Sequence, residues 1–197
     1  NRPAAELGTP TTVREVVNQR LTRLSAEANE VLALAAVAGA DFELDTVQRT
    51  GVVPGDVLLD AVDEAVRNGL LVEEPGRRLA YRFAHELVRR AVIDRLSAAR
   101  EAEIHLLVAE ALEARRPHGD SRGALAALAY HYAAAAPVGG IERAIDYNLL
   151  AADSAAGALA FGEAEARFQV ALELGIREPA ERVDVMLRLG DACNRAG

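Results

Sequence analysis

Lysine is absent from this chain of 197 residues; its 22 strongly basic side chains are all arginines. The lysine that reaches the phosphates in a phosphate-binding loop is therefore missing, and neither G-x-x-x-x-G-K-[ST] nor G-x-G-x-x-G occurs. The chain is not a complete P-loop ATPase. A single cysteine, Cys193, excludes an intramolecular disulfide and has no spaced Cys or His partners that would hold a metal. G-x-S-x-G, H-E-x-x-H and C-x-x-C are also missing. The four histidines, His85, His105, His118 and His131, lie 20, 13 and 13 positions apart on segments of different character, a pattern of scattered core or surface side chains. Catalytic machinery is not visible, and the segment reads as a non-enzyme with no cofactor of its own. The longest apolar run, Val31 to Ala40, is about half of what a helix needs to cross a bilayer, and no secretory leader opens the sequence. These features read as a soluble, cytoplasmic protein without membrane contact.

About half of the residues, 51%, are apolar, enough to bury a core in one large domain or two small ones. The chain begins at Asn1 rather than Met, which reads as a piece of something longer or a processed product.

Helical periodicity dominates the pattern. Val13, Val16, Val17, Leu21 and Leu24 predict a helix over about 12–24 after the turn-like GTPTT. Ser25 is placed to cap a second helix, which carries Val31, Leu32, Leu34, Ala35 and Val37 and closes at Gly39. A short element, ELDTVQRT, follows, and Pro54 opens a helix striped with Leu58, Ala61, Val62 and Ala65 that Asn68-Gly69 stops. The period then changes. LLVEE, the turn PGRR and LAYRF form a hairpin signal. Three helices followed by a two-stranded wing is the plan of a winged helix. Amphipathic helices are expected over 85–96 and 98–116.

RRPHGDSRG supplies the Pro, Gly and charges of a linker, which divides the chain into a winged-helix domain with flanking helices over 1–116, a linker over 117–123 and a helical part over 124–197. In the helical part, alanine-rich stripes run over about 124–136, 141–156, 163–175 and 180–195, with short breaks that imply antiparallel neighbours. Ala164, Phe168 and Ala171 match the second-helix spacing of a tetratricopeptide repeat, and Leu189-Gly190 the first helix of the next. The first-helix aromatic positions are not filled, so the match is partial. The fold class is thus mainly α: a winged helix with a small β-hairpin, then tetratricopeptide-like antiparallel helical hairpins that the chain holds only in part.

In a DNA-reading winged helix the third helix meets phosphates and needs positive charge. Here it carries Asp56, Asp60, Asp63 and Glu64 against Arg67 alone, in a chain of net charge -8. Direct DNA binding by this segment is disfavoured. Arg77 and Arg78 at the wing stand beside Glu73 and Glu74, as in a solvated turn.

In YRFAHELVRRAV, residues 81–92, strand-like alternation gives way to helical spacing, and His85 sits at the changeover. Backbone N–H groups at a helix start have no partner inside the helix, so His85 is placed either to cap or to contact an anion.

The succession VREVVNQRLTRLS, LAAVAGADFELD, LLDAVDEAVRNGLLVEEPGRRLAYRFAHELVRRAVIDRLS, LAYHYAAAA and FGEAEARFQVALEL resembles the stretch after the ATPase core in STAND-type signal-transducing ATPases. These include the large ATP-binding LuxR-type transcriptional regulators and some multidomain adenylate cyclases. The resemblance spans nearly the whole chain, through the order and spacing of weak motifs. It implies a regulatory middle segment: an upstream nucleotide-binding domain of the same chain holding ATP or ADP, and a repeat surface for a protein or small-molecule inducer. In related switch ATPases a winged-helix histidine contacts the β-phosphate of ADP, and RFAHEL matches its place loosely, which makes His85 a candidate nucleotide sensor. The alternative is a free-standing helical scaffold or adaptor whose winged helix binds protein or nucleic acid without an ATPase.

Overall fold

The computed structural model describes residues 13–115 and 121–196, and it is mainly helical with one small antiparallel sheet of three strands. The chain divides into two compact units between Leu96 and Ser97. The helix over 98–114 therefore belongs with the second unit, whereas the linker signal had set it with the first domain. Residues 116–120, within that linker signal, lie outside the described residues, as does the turn-like GTPTT expected before the first helix.

The first unit comprises α1 (Val13–Leu21), α2 (Ala26–Ala38), β1 (Asp41–Glu43), α3 (Leu44–Arg49), α4 (Gly55–Arg67), β2 (Leu71–Glu73), β3 (Ala80–Phe83) and α5 (Glu86–Ile93). From Val31 onward helix α2 is apolar on every side, and each residue from Val31 to Val37 is buried. A helical stretch without a polar face must be enclosed; α3, α4, α5 and β1 all pack on α2. Ser25 caps it by accepting the Ala28 N–H at 3.1 Å. Gly39 closes it at φ 158°, where an added Cβ would come within 3.0 Å of the Asp41 carbonyl oxygen.

Helix α4 is locked to the start of α2 by one side chain. Glu64 accepts the Ser25 hydroxyl at 2.6 Å and the Ser25 backbone N–H at 3.0 Å. These two bonds hold its carboxyl below the usual range.

The sheet order is β1-β3-β2, so the last strand is the middle one. The hairpin was legible in the sequence; the third strand, β1, was not. Phe42 of β1 faces Tyr81 of β3 in register, and with Phe83 these rings form a buried cluster with centroids 6.0–6.5 Å apart. Alternation turns Arg82 outward, where it pairs with Glu74 at 2.9 Å. Arg77 at the hairpin turn reaches across to Asp41 and Glu43 of β1.

The second unit comprises α6 (Ala98–Ala114), α7 (Arg122–Ala135), α8 (Ile141–Gly157), α9 (Phe161–Leu174) and α10 (Pro179–Ala196), each packed on the next. The break expected between 156 and 163 ends before Phe161, so Gly162 lies in the first turn of α9. Small side chains set the spacing. Ala129, Ala144, Ala151, Ala152, Ala155, Ala164 and Ala171 are all buried, and Tyr132 and Phe168 fill the larger gaps. Helix α10 buries only Val185 and Ala192, leaving Val183, Met186 and Leu187 at least half exposed.

Replacing Ser25 by Ala removes both the cap and the hydroxyl bond to Glu64. It should lower the unfolding free energy by about 1–2 kcal/mol in urea titrations followed at neutral pH. The loss should shrink as the pH falls through the carboxylate range, because a depressed carboxyl contributes its stability when ionised. An unchanged denaturation midpoint at neutral pH would contradict this lock.

Candidate functional site

The junction between β3 and α5 places His85 in extended geometry at φ -154°, ψ 145°, as the N-cap of α5. Its Nδ1 accepts the Leu87 N–H at 3.1 Å, and its carbonyl accepts the Val88 N–H at 2.9 Å. The junction is held on both sides. Phe83 N–H donates to the Ala40 carbonyl, Ala84 N–H donates to the Leu70 carbonyl, and Arg89 donates to the Ala36 carbonyl at 2.9 Å. Local sequence and the buried end of α2 therefore fix the ring's place together.

Capping and ligand contact, which looked like alternatives, are compatible at this residue. A ring whose Nδ1 accepts a hydrogen bond carries its proton, when neutral, on Nε2. His85 is exposed, so that N–H is open to solvent. A shallow cleft of about 500 Å³ lies beside it, lined by Ala40, Asp41, Glu74, Arg82, Phe83 and Glu86 among others.

The charges around this cleft are already paired. Asp41 is held by Arg77, Glu74 by Arg82, and Glu86 by Arg89. The Arg89 guanidinium holds the Glu86 carboxyl below its ordinary range. The cleft offers one ring N–H and the start of a helix. That arrangement can donate to one oxygen of an acceptor.

The outer surface of α4 is acidic, as the sequence indicated, with one refinement. Asp56, Asp60 and Asp63 are exposed around an exposed Leu59, while Glu64 is turned to Ser25 and is not part of that surface. Arg77 is bound to β1 rather than free at the hairpin turn.

In the second unit the described histidines do not stay scattered. His105 of α6 and His131 of α7 meet with their Nδ1 atoms 2.9 Å apart, both buried. Sequence reading missed this pair. The available signal was His105 inside the buried stripe of Ile104 and Val108; the 26-residue separation from its partner concealed the rest. His118 lies outside the described residues.

A second polar cluster sits at the far end of α6. Glu113 accepts hydroxyl bonds from Tyr132 and Tyr147, each at 2.6 Å, and pairs with Arg143 at 2.8 Å. The two tyrosine rings stack 5.3 Å apart, and burial, with Glu113 beside it, pushes the Tyr132 hydroxyl up to about 12. A cleft of about 370 Å³ lies along α8, α9 and α10. Arg188 stands over the Phe168 ring there and Arg195 over Phe161.

Among the described residues no three His, Cys, Asp or Glu side chains converge as a metal site would require, and no helix is long and apolar enough to cross a membrane. No family model, curated protein or solved structure matches the chain.

The cap assigned to His85 has a direct test. His85→Ala should lower stability by about 1 kcal/mol, whereas His85→Asn, a good N-cap without the ring, should remain within a few tenths of the parent. Equal losses in thermal or urea unfolding for both variants would show that the cap bond is not what the ring supplies.

Proposed function

We propose that the chain is the regulatory middle segment of a STAND-type ATPase transcriptional regulator. In this reading the first unit is a winged helix that follows nucleotide state, and the second is a tetratricopeptide-like array that binds a protein or small-molecule inducer. The observation that carries it is the order of elements. A helix, a short strand, two helices and a hairpin come in sequence, with the final strand between the other two, and helical hairpins follow. This is the connectivity a winged helix requires, and it agrees with the resemblance of the segments in sequence.

Three features support a coupling role over a DNA-reading one. The exposed side of α4 is acidic, so phosphates would be repelled from the helix that reads DNA in other winged helices. Arg77 is engaged within the sheet, which leaves the hairpin turn one arginine poorer. His85 presents a donor of fixed position beside a helix start, suited to one phosphate oxygen of ADP held chiefly by another domain. On the second unit, the exposed Val183, Met186 and Leu187 and the Phe161–Phe168 cleft supply apolar surface for a partner.

The coding sequence preceding Asn1 tests the reading. A nucleotide-binding domain with a phosphate loop is expected there; a stop codon directly upstream would overturn it and leave the free-standing scaffold.

The chain alone should bind neither ATP at micromolar concentration nor duplex DNA at physiological salt; calorimetry and footprinting would expose either failure. In the protein that carries the nucleotide-binding domain, His85→Asn keeps the cap and deletes the ring donor. ADP affinity should then fall by about five- to a hundredfold, the equivalent of about 1–3 kcal/mol, with partial inducer-independent activity. Unchanged ADP affinity would make His85 a cap and nothing more.

A further inference from the structure

We propose that the seam between α6 and α7 is a proton-operated latch, closed while at most one of the facing nitrogens of His105 and His131 carries a proton and opened when both do. The geometry is restrictive. The two Nδ1 atoms are 2.9 Å apart, and the residues are 5% and 4% exposed. At that distance one nitrogen must donate and the other accept, so the contact holds a single proton. Tyr130 closes one side of the pair, edge-on to both rings at 5.4 and 5.1 Å.

The charge that acts on the pair from α6 is Glu101, one turn before His105, and it favours the charged form of that ring. From α7, Tyr130 contributes a ring edge and His131 the second imidazole. Helix α8, packed on α7, places no charge that acts on either ring. A first added proton leaves one ring donating its Nδ1–H to the other, still neutral. A second must occupy the remaining accepting nitrogen, and two N–H groups then face each other out of reach of water.

Burial holds both rings below the ordinary histidine range, and His131 is brought down to about 4 by burial and by His105. The sign follows from that direction. Between the ordinary value of 6.5 and about 4 the unfolded chain binds more protons than the folded one, so stability present at neutral pH is lost as the pH falls. The loss should be local. The C-terminal end of α6 remains held by Glu113 on Tyr132, Tyr147 and Arg143, so the stretch from Ala98 to His105 is the part released.

The full chain tests this by NMR between pH 7.5 and 4.5. Both rings should titrate below the free-histidine range. The opening equilibrium of amides 98–105 should rise by up to about tenfold per pH unit below 6.5, while amides 26–38 do not respond. His131→Gln, which retains a hydrogen-bonding partner without titrating, should reduce that response, leaving only the share that His105 contributes. Ring titration at the free-histidine value, or an opening equilibrium for amides 98–105 that does not rise between pH 6.5 and 4.5, would overturn the latch, as would an undiminished response in a folded His131→Gln. If that variant does not fold, ring titration and exchange in the unaltered chain decide the matter.

Discussion

The wholly apolar stretch of α2 from Val31 to Val37 governs the first unit. Val31 to Val37 cannot meet water on any side, so α3, α4, α5 and β1 are drawn around them. Burying a single Leu or Val of this kind is worth about 1.5–3 kcal/mol, more than any of the exposed ion pairs at the surface can return. The arrangement has a consequence for chemistry. Because α5 must lie on α2, Arg89 reaches the Ala36 carbonyl and Phe83 the Ala40 carbonyl, and the strand-to-helix junction with His85 is fixed at that end. The candidate site is thus a by-product of enclosing one helix.

The second unit solves a different problem. Helices faced with alanine approach closely and bury little area per residue, so the seams are specified by a few polar contacts placed among small side chains. Asn148 is one, fully buried and donating to carbonyls of both α7 and α8. Glu113 with its two tyrosines is another, and the histidine pair a third. Removing either partner of such a contact strands the other, so each fixes register more strongly than its net energy suggests.

Much of this was legible in the sequence where one element supplies its own signal. The Ser25 cap, the Gly39 and Asn68-Gly69 stops, the hairpin around PGRR and the changeover at His85 all follow from local patterns. The misses share one cause, which is dependence on a distant partner. Strand β1 is three residues long and is a strand because β3 lies beside it. Glu64 counted as surface charge until Ser25, 39 positions away, was found to hold it. His105 and His131 read as scattered core or surface side chains, and α6 joined the first part by sequence adjacency though its packing surface matches α7. The compatibility of cap and donor at His85 was also hidden, since it depends on which ring nitrogen faces Leu87.

Whether the first unit responds to nucleotide, as proposed, is the central claim, and amide hydrogen exchange in the chain joined to the nucleotide-binding domain proposed to precede it tests it most directly. With ADP bound, amides 84–88 at the start of α5 should exchange more slowly than with a non-hydrolysable ATP analogue, while the buried stretch of α2 exchanges alike in both. Identical exchange at 84–88 in the two nucleotide states would contradict the account.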